Sequence, residues 1–225
     1  MKKVPLIISL AIGIGVLGAP STPNPDPERF RGAFSNFKRE DAHEKTGKNL
    51  FLFTGSSSIR MWKSLAEDFP EQKTLNRGFG GSHLSDLLHY FDLLFARHKP
   101  AAIVLYCGEN DLWSGKSPQQ VFKDFKTFVD QVGQILPQTR IHYLACKPSP
   151  KRFEKWAIYQ ECNRMIAKHC ASGERLNFVD VSKVMLDRKG RPLPDIWMKD
   201  KLHMNAKGYE LWTQLLGPLL SQRIE

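Results

Sequence analysis

Asn49-Leu50-Phe51-Leu52-Phe53-Thr54-Gly55-Ser56-Ser57-Ser58-Ile59 decides how the rest of the chain is read. Six residues, 49–54, form a short, largely apolar run, the pattern of a strand buried within a sheet. The run breaks at a glycine into three serines, ahead of a helical pattern. A strand that stops this abruptly can lift a hydroxyl above the edge of a sheet, and open α/β sheets hold their ligands at that carboxyl edge. Ser57 is the candidate nucleophile, with Ser56 and Ser58 as its neighbours in the choice.

Outward from this stretch, strands and helices alternate. A second short strand is expected at Lys73–Asn76. The loop Gly78-Phe79-Gly80-Gly81-Ser82 follows, and its glycines free the backbone. Leu84, Leu87, Leu88, Phe91, Leu94 and Phe95 recur at helical spacing and predict one helix over Ser85–Arg97. Ala101–Cys107 is a continuous apolar run, as in a strand buried on both faces. Ser117-Pro118, with Gln120 three residues after the serine, is a capping signature for a helix running to Ile135. A fourth strand is expected at Arg140–Cys146, a helix at Phe153–His169 and a fifth strand at Leu176–Val181. Asn205 caps a last helix, Ala206–Leu220. Ahead of all this, Arg29–Lys45 reads as a helix lying on the sheet or its edge. Alternation of this kind implies a parallel sheet covered on both faces, an α/β domain spanning residues 29–225.

The chain has 225 residues, enough for one domain with a substantial core. Lys2-Lys3, an uncharged apolar run Val4–Leu17 and the small pair Gly18-Ala19 read as an export signal, with an N-terminal anchor as the other reading. The apolar run is short for a membrane span. Residues 1–20 are therefore set apart from the domain, and the proline-rich Ser21–Glu28 reads as a tether. Periplasmic or extracellular placement follows from the export reading. Cys107, Cys146, Cys162 and Cys170 contain no paired metal-type spacing, and Cys107 and Cys146 fall in apolar runs suited to a core. The net charge is +10 (33 basic less 23 acidic residues). Its basic residues are dispersed, and small clusters such as Lys147-Pro-Ser-Pro-Lys151-Arg152 read as solvated faces. No nucleic-acid partner is expected, and peripheral contact with anionic surfaces is the other use of the surplus.

Chemistry-bearing residues recur at the carboxyl ends of the expected strands. Ser57 follows the first, Gly80-Gly81 the second and Asn110 the third, while Asp200-Lys201-Leu202-His203 stands just before the last helix. Acyl transfer needs a hydroxyl, an imidazole to take its proton, a carboxylate to orient the ring, and fixed donors for the oxyanion. Ser57, His203 and Asp200 supply the first three. The backbone N–H of Ser57, that of Gly81 (or Gly80) and the side-chain amide of Asn110 are the candidate donors. Glu109 and Asp111 resemble a metal pair only in composition, because no histidine or further acid lies near them in sequence. Gly78-x-Gly80-x-x-His83 lacks the third glycine of a dinucleotide loop. The histidines at 83, 89, 98, 142 and 169 have no partner at comparable spacing and read as surface or core.

Four stretches together resemble the SGNH (GDSL-type) hydrolases: Gly55-Ser56-Ser57-Ser58, Gly81 within Asn76-Arg-Gly-Phe-Gly-Gly-Ser, Gly108-Glu-Asn110-Asp111, and Asp200-Lys-Leu-His203. They stand in that family's order. The resemblance implies a three-layer flavodoxin-like α/β/α fold with a five-stranded parallel sheet in the order 2-1-3-4-5. It implies Ser57, Asp200 and His203 as catalytic triad and Ser57, Gly81 and Asn110 as oxyanion hole, without a metal or organic cofactor. The activity implied is a serine esterase or acylhydrolase acting on a sugar acetyl ester or a lysophospholipid-type ester. Ser56 departs from the family pattern, which has an aspartate there. That departure motivates the alternative of a carbohydrate- or lipid-binding module on a hydrolase scaffold.

Overall fold

The apolar run ahead of the serines is an inner strand of a five-stranded sheet. The computed structural model describes residues 21–42 and 49–221. The expected export segment lies outside the described residues, as does the end of the expected N-terminal helix beyond residue 42. The strands are β1 (Leu50–Gly55), β2 (Lys73–Gly78), β3 (Ala102–Tyr106), β4 (Arg140–Leu144) and β5 (Leu176–Val179), all parallel, in the order β2-β1-β3-β4-β5. The eight α-helices among the described residues are α1 (Arg31–Asp41), α2 (Ser57–Arg60), α3 (Leu65–Asp68), α4 (Leu84–His89), α5 (Glu109–Trp113), α6 (Pro118–Ile135), α7 (Trp156–Cys170) and α8 (Ala206–Leu220).

Each strand sends alternate side chains to opposite faces, and both faces are covered. Leu50, Leu52, Ile103, Leu105, Ile141 and Tyr143 pack with residues of α4, α6 and α7 in one core cluster. Phe51, Phe53, Val104, Tyr106, Leu144 and Val179 pack with α2, α3 and α8 in a second. Trp62 and Trp212, both buried, meet at 5.9 Å between ring centroids and anchor that second layer. The two-sided cover is that expected from the alternation, and the strand order is the one the family resemblance implies.

Ser117 and Gln120 form the reciprocal capping box of α6, and Asn205 accepts from the N–H of Gly208 at the start of α8, so both helices begin where their caps predict. Elsewhere tertiary contacts override local pattern. The single helix expected over Ser85–Arg97 is α4 followed by one π-helical turn, Asp92–Ala96. The wider turn accompanies full burial of the adjacent pair Leu94 and Phe95. The helix expected from Phe153 starts at Trp156, because Pro150–Lys155 forms a 3-10 turn in which Arg152 leaves helical geometry (φ −122°) to meet a buried carboxylate. β5 ends at Val179 rather than Val181, where the Val181 N–H turns back to the Val179 carbonyl. The expected tether is attached: the Thr22 hydroxyl donates to the Gly115 carbonyl at 2.9 Å, and Asp26 caps a 3-10 turn, Pro27–Phe30, leading into α1. α1 rests on the loop after β2, with Phe34 edge-on to Phe79 at 5.1 Å and stacked on Tyr90. Among the described residues no helix is long and apolar enough to cross a membrane.

All four cysteines are unpaired and buried. Burial pushes every thiol up, Cys162 to about 12, Cys170 to about 11 and Cys107 and Cys146 well above their ordinary range. Ellman's reagent at pH 8 should therefore release no thiolate promptly from the native protein and four equivalents once it is unfolded in guanidinium. Rapid release from the native protein would contradict this burial.

Candidate active site

The carboxyl edge of the sheet gathers the candidate residues from four separate segments. Gly55 ends β1 at φ +114°, and a Cβ there would stand 1.9 Å from the Tyr106 carbonyl oxygen. Only glycine lets the chain turn so close to β3. The Ser56 N–H then donates to that same carbonyl at 2.9 Å, and α2 begins at Ser57. Ser56 and Ser58 are buried. Ser57 is half-buried, and its hydroxyl faces the loop before α8.

That loop is shaped by its own carboxylate. Asp200 Oδ1 accepts from the N–H groups of Leu202 (2.9 Å) and His203 (3.0 Å), and Lys201 between them takes a left-handed conformation (φ +56°). The His203 carbonyl accepts from Met198 N–H at 2.7 Å, and the Asn205 amide donates to the Asp195 carbonyl at 2.8 Å, so the turn is closed on both sides. The remaining Asp200 oxygen, Oδ2, lies 2.6 Å from His203 Nδ1. A carboxylate can only accept, so Nδ1 carries the ring hydrogen and Nε2 is left as the acceptor. Nε2 is 2.8 Å from Ser57 Oγ. Burial would raise the Asp200 pKa, but the bonds from the His203 ring and the two backbone N–H groups outweigh it and hold the carboxyl down at about 2.

Residues 47–211 match the GDSL-like Lipase/Acylhydrolase family model. The chain belongs to that family. A search of curated proteins finds no match. Among solved structures, a candidate platelet activating factor from Streptococcus pneumonia superposes with a TM-score of 0.75 at 22% identity, covering 84% of this chain and 92% of that one. A GDSL-like lipase from Bacteroides thetaiotaomicron superposes at 0.69 with 19% identity, over 84% and 98% of the two chains. A mutant acetyl-xylooligosaccharide esterase from Geobacillus Stearmophilus superposes at 0.64 with 15% identity, over 80% and 98%. At these identities the superpositions establish a common fold. The family match runs from the start of β1 into α8 and so takes in every candidate site residue.

The candidate oxyanion donors of this GDSL-like hydrolase share one cleft of about 900 Å³, which Ser57, Gly80, Gly81, Asn110 and His203 all line. Gly81 is left-handed (φ +84°), exposed, and faces open space. Among the described residues no acceptor takes the N–H of Ser57, Gly80 or Gly81. Asn110 is the second residue of α5, and its amide is fixed from both ends. Nδ2 donates to the Ser82 carbonyl at 3.1 Å, while Oδ1 accepts from Arg152 Nη1 at 3.0 Å. The amide cannot flip without losing both bonds, so its second N–H is held in one direction.

Sequence reading missed what holds Arg152. The Lys147–Arg152 cluster, read as a solvated face, is in fact anchored inward: Lys147 is only 2% exposed. Lys147 Nζ donates to buried Glu109 Oε2 at 2.7 Å, Arg152 Nη1 donates to Glu109 Oε1 at 3.1 Å, and the Tyr106 hydroxyl donates to Oε2 as well. No local pattern signals this pairing, because the partners come from the ends of β3 and β4. Asp111 is likewise committed, accepting from Lys116 Nζ at 2.9 Å and from the Leu84 N–H at 3.2 Å. Glu109 and Asp111 are thus ion-pair partners of separate lysines, and no group of three metal-ligating side chains occurs among the described residues. His83 and His142 are buried, and burial pushes each ring down to about 4. Trp113 is 38% exposed beneath the Arg152 guanidinium, and Phe153 and Trp156 stack on each other, so none of this trio lines the cleft that holds Ser57.

Burial alone would raise the Glu109 pKa, but the neighbouring Lys147 and Arg152 win and hold it below its ordinary value. A depressed carboxyl stabilises the fold at neutral pH, and that contribution is lost as pH falls through the depressed value. Glu109→Gln should cost about 3–5 kcal/mol at pH 7 in urea unfolding, since it strands a buried ammonium, and the difference from the wild type should shrink on acidification. Equal stability at pH 7 would contradict the pairing.

Proposed function

We propose that this GDSL-like hydrolase is a serine esterase that works through an acyl-enzyme. The observation that carries the reading is the unbroken line Asp200 Oδ2, His203 Nδ1, His203 Nε2, Ser57 Oγ, with steps of 2.6 and 2.8 Å. Ser57 Oγ attacks the ester carbonyl as its proton passes to Nε2. Asp200 keeps the ring in the required tautomer and stabilises the imidazolium. The tetrahedral oxyanion accepts from the N–H groups of Ser57 and Gly81 and from Asn110 Nδ2. Collapse of the intermediate expels the alcohol, which takes the proton from Nε2. Water, deprotonated by the same nitrogen, then releases the acid and frees Ser57.

The substrate class we assign is a small carboxylic ester of a sugar or a lysophospholipid-type ester. Support for the sugar ester comes from the shared fold of the acetyl-xylooligosaccharide esterase. The charged start and apolar run of residues 2–17 support action outside the cytoplasm.

Ser57→Ala should abolish p-nitrophenyl acetate hydrolysis and fluorophosphonate labelling with the circular dichroism spectrum unchanged. Asn110→Ala should lower kcat by roughly a hundred- to a thousandfold with the serine still labelled. Turnover by Ser57→Ala at the wild-type rate would refute the mechanism. Absence of labelling in the wild type would favour a binding module.

A further inference from the structure

The cleft beside Ser57 carries two cations, Arg60 and Lys63, that no carboxylate among the described residues neutralises. Arg60 lies three residues after Ser57 on the same turn of α2, which brings the two side chains to neighbouring positions, roughly 5–6 Å apart at Cβ. Gly78 lets the backbone of α2 pass close, and Gly80 leaves room for the Arg60 side chain. A Cβ at Gly78 would stand 2.3 Å from the Arg60 backbone nitrogen, and one at Gly80 would stand 2.9 Å from Arg60 Nε. The guanidinium therefore lies against the backbone of the same loop that presents the Gly81 N–H to the cleft. Lys63 lines the same cleft from beyond the end of α2.

Neither cation has a carboxylate partner among the described residues. Among the described residues Glu40 is the only acid lining the cleft, and its carboxylate is taken by Arg77 at 3.1 Å. The other cation at the site, Arg152, is already paired with Glu109. A neutral ester would leave the exposed Arg60 guanidinium facing water beside Gly80. From this we infer that the substrate ester carries an anionic oxygen group, a phosphate or a carboxylate, a few bonds from its carbonyl, and that Arg60 binds that group with Lys63 behind it. A guanidinium suits either anion, because its fork of N–H groups meets two oxygens at once. The inference rests on the serine-esterase reading and names which esters that site prefers.

Matched pairs test it: 1-acetylglycerol 3-phosphate against 1-acetylglycerol, and an acetylated methyl glucuronate against the corresponding acetylated methyl glucoside. The wild type should show a charged-to-neutral ratio of kcat/KM well above ten in at least one pair. Arg60→Gln should cut that ratio by roughly ten- to a hundredfold, the worth of a charge-assisted hydrogen bond, and Arg60→Lys should keep part of it. Added 0.5 M NaCl should lower the ratio in the wild type more than in Arg60→Gln. Preference within the phosphate pair identifies a phosphorylated alcohol as the source of the anion, and preference within the uronate pair an acidic sugar. A ratio near one in both pairs, or a ratio that Arg60→Gln leaves unchanged, overturns the inference while p-nitrophenyl acetate turnover keeps the esterase reading intact. If no ester is hydrolysed and the fluorophosphonate does not label Ser57, the esterase reading fails and this inference falls with it.

Discussion

A buried carboxylate, that of Glu109, joins the parts of the site to one another. Taking a charge out of water costs several kcal/mol, so a buried carboxylate persists only where partners repay it. Here the partners are Lys147 from the end of β4, Arg152 from the turn before α7 and the Tyr106 hydroxyl from β3. Arg152 in turn grips the Asn110 amide, and the Lys151 N–H donates to the Lys201 carbonyl at 2.9 Å, inside the loop that carries Asp200 and His203. One desolvated charge thus ties the Asn110 side of the cleft to the imidazole side. The arrangement is held from several directions, because Lys147, Tyr106 and Arg152 reach the carboxylate from separate segments of the chain.

The placement of the site follows from the sheet. A parallel sheet brings all its strand ends to one edge, and each connection there must turn sharply. β1 does so at Gly55, where close approach to the Tyr106 carbonyl excludes any side chain. The three layers then divide the labour. The face carrying α2 and α8 brings Ser57 and His203 together across 146 positions of sequence, and the Tyr209 hydroxyl of α8 clamps the Ser58 carbonyl at 2.9 Å. The face carrying α6 and α7 supports Asn110 from beneath, through Cys107, Tyr143 and their neighbours in the core.

Elements whose signals are local were legible in the sequence. β3 is a run of apolar residues, α6 opens on a reciprocal cap, and α8 opens on Asn205. The short Asp200-to-His203 spacing was legible for the same reason, since a carboxylate can reach the N–H groups two and three residues on. What escaped were features set by distant partners. The π turn after α4 depends on what Leu94 and Phe95 meet in the core. The inward course of Lys147 and Arg152 depends on a carboxylate some 40 residues earlier (147 less 109 is 38, and 152 less 109 is 43). Three adjacent serines are alike in sequence, and the structure separates Ser57 from them by burying Ser56 and Ser58 and by setting the Ser57 hydroxyl against His203 Nε2.

The glycines after β2 show how one motif can hold several constraints at once. In sequence Gly78, Gly80 and Gly81 read as a single flexible loop suited to presenting a backbone donor. In the structure each answers a different demand. Gly78 is small because the backbone of α2 crosses it, Gly80 because the Arg60 guanidinium lies on it, and Gly81 because its φ of +84° is one that side chains rarely adopt. Only the third concerns a donor directly. The first two set how closely α2, and with it Ser57, approaches the loop, so the spacing between the proposed nucleophile and its candidate donor depends on two absent side chains as much as on the groups that are present.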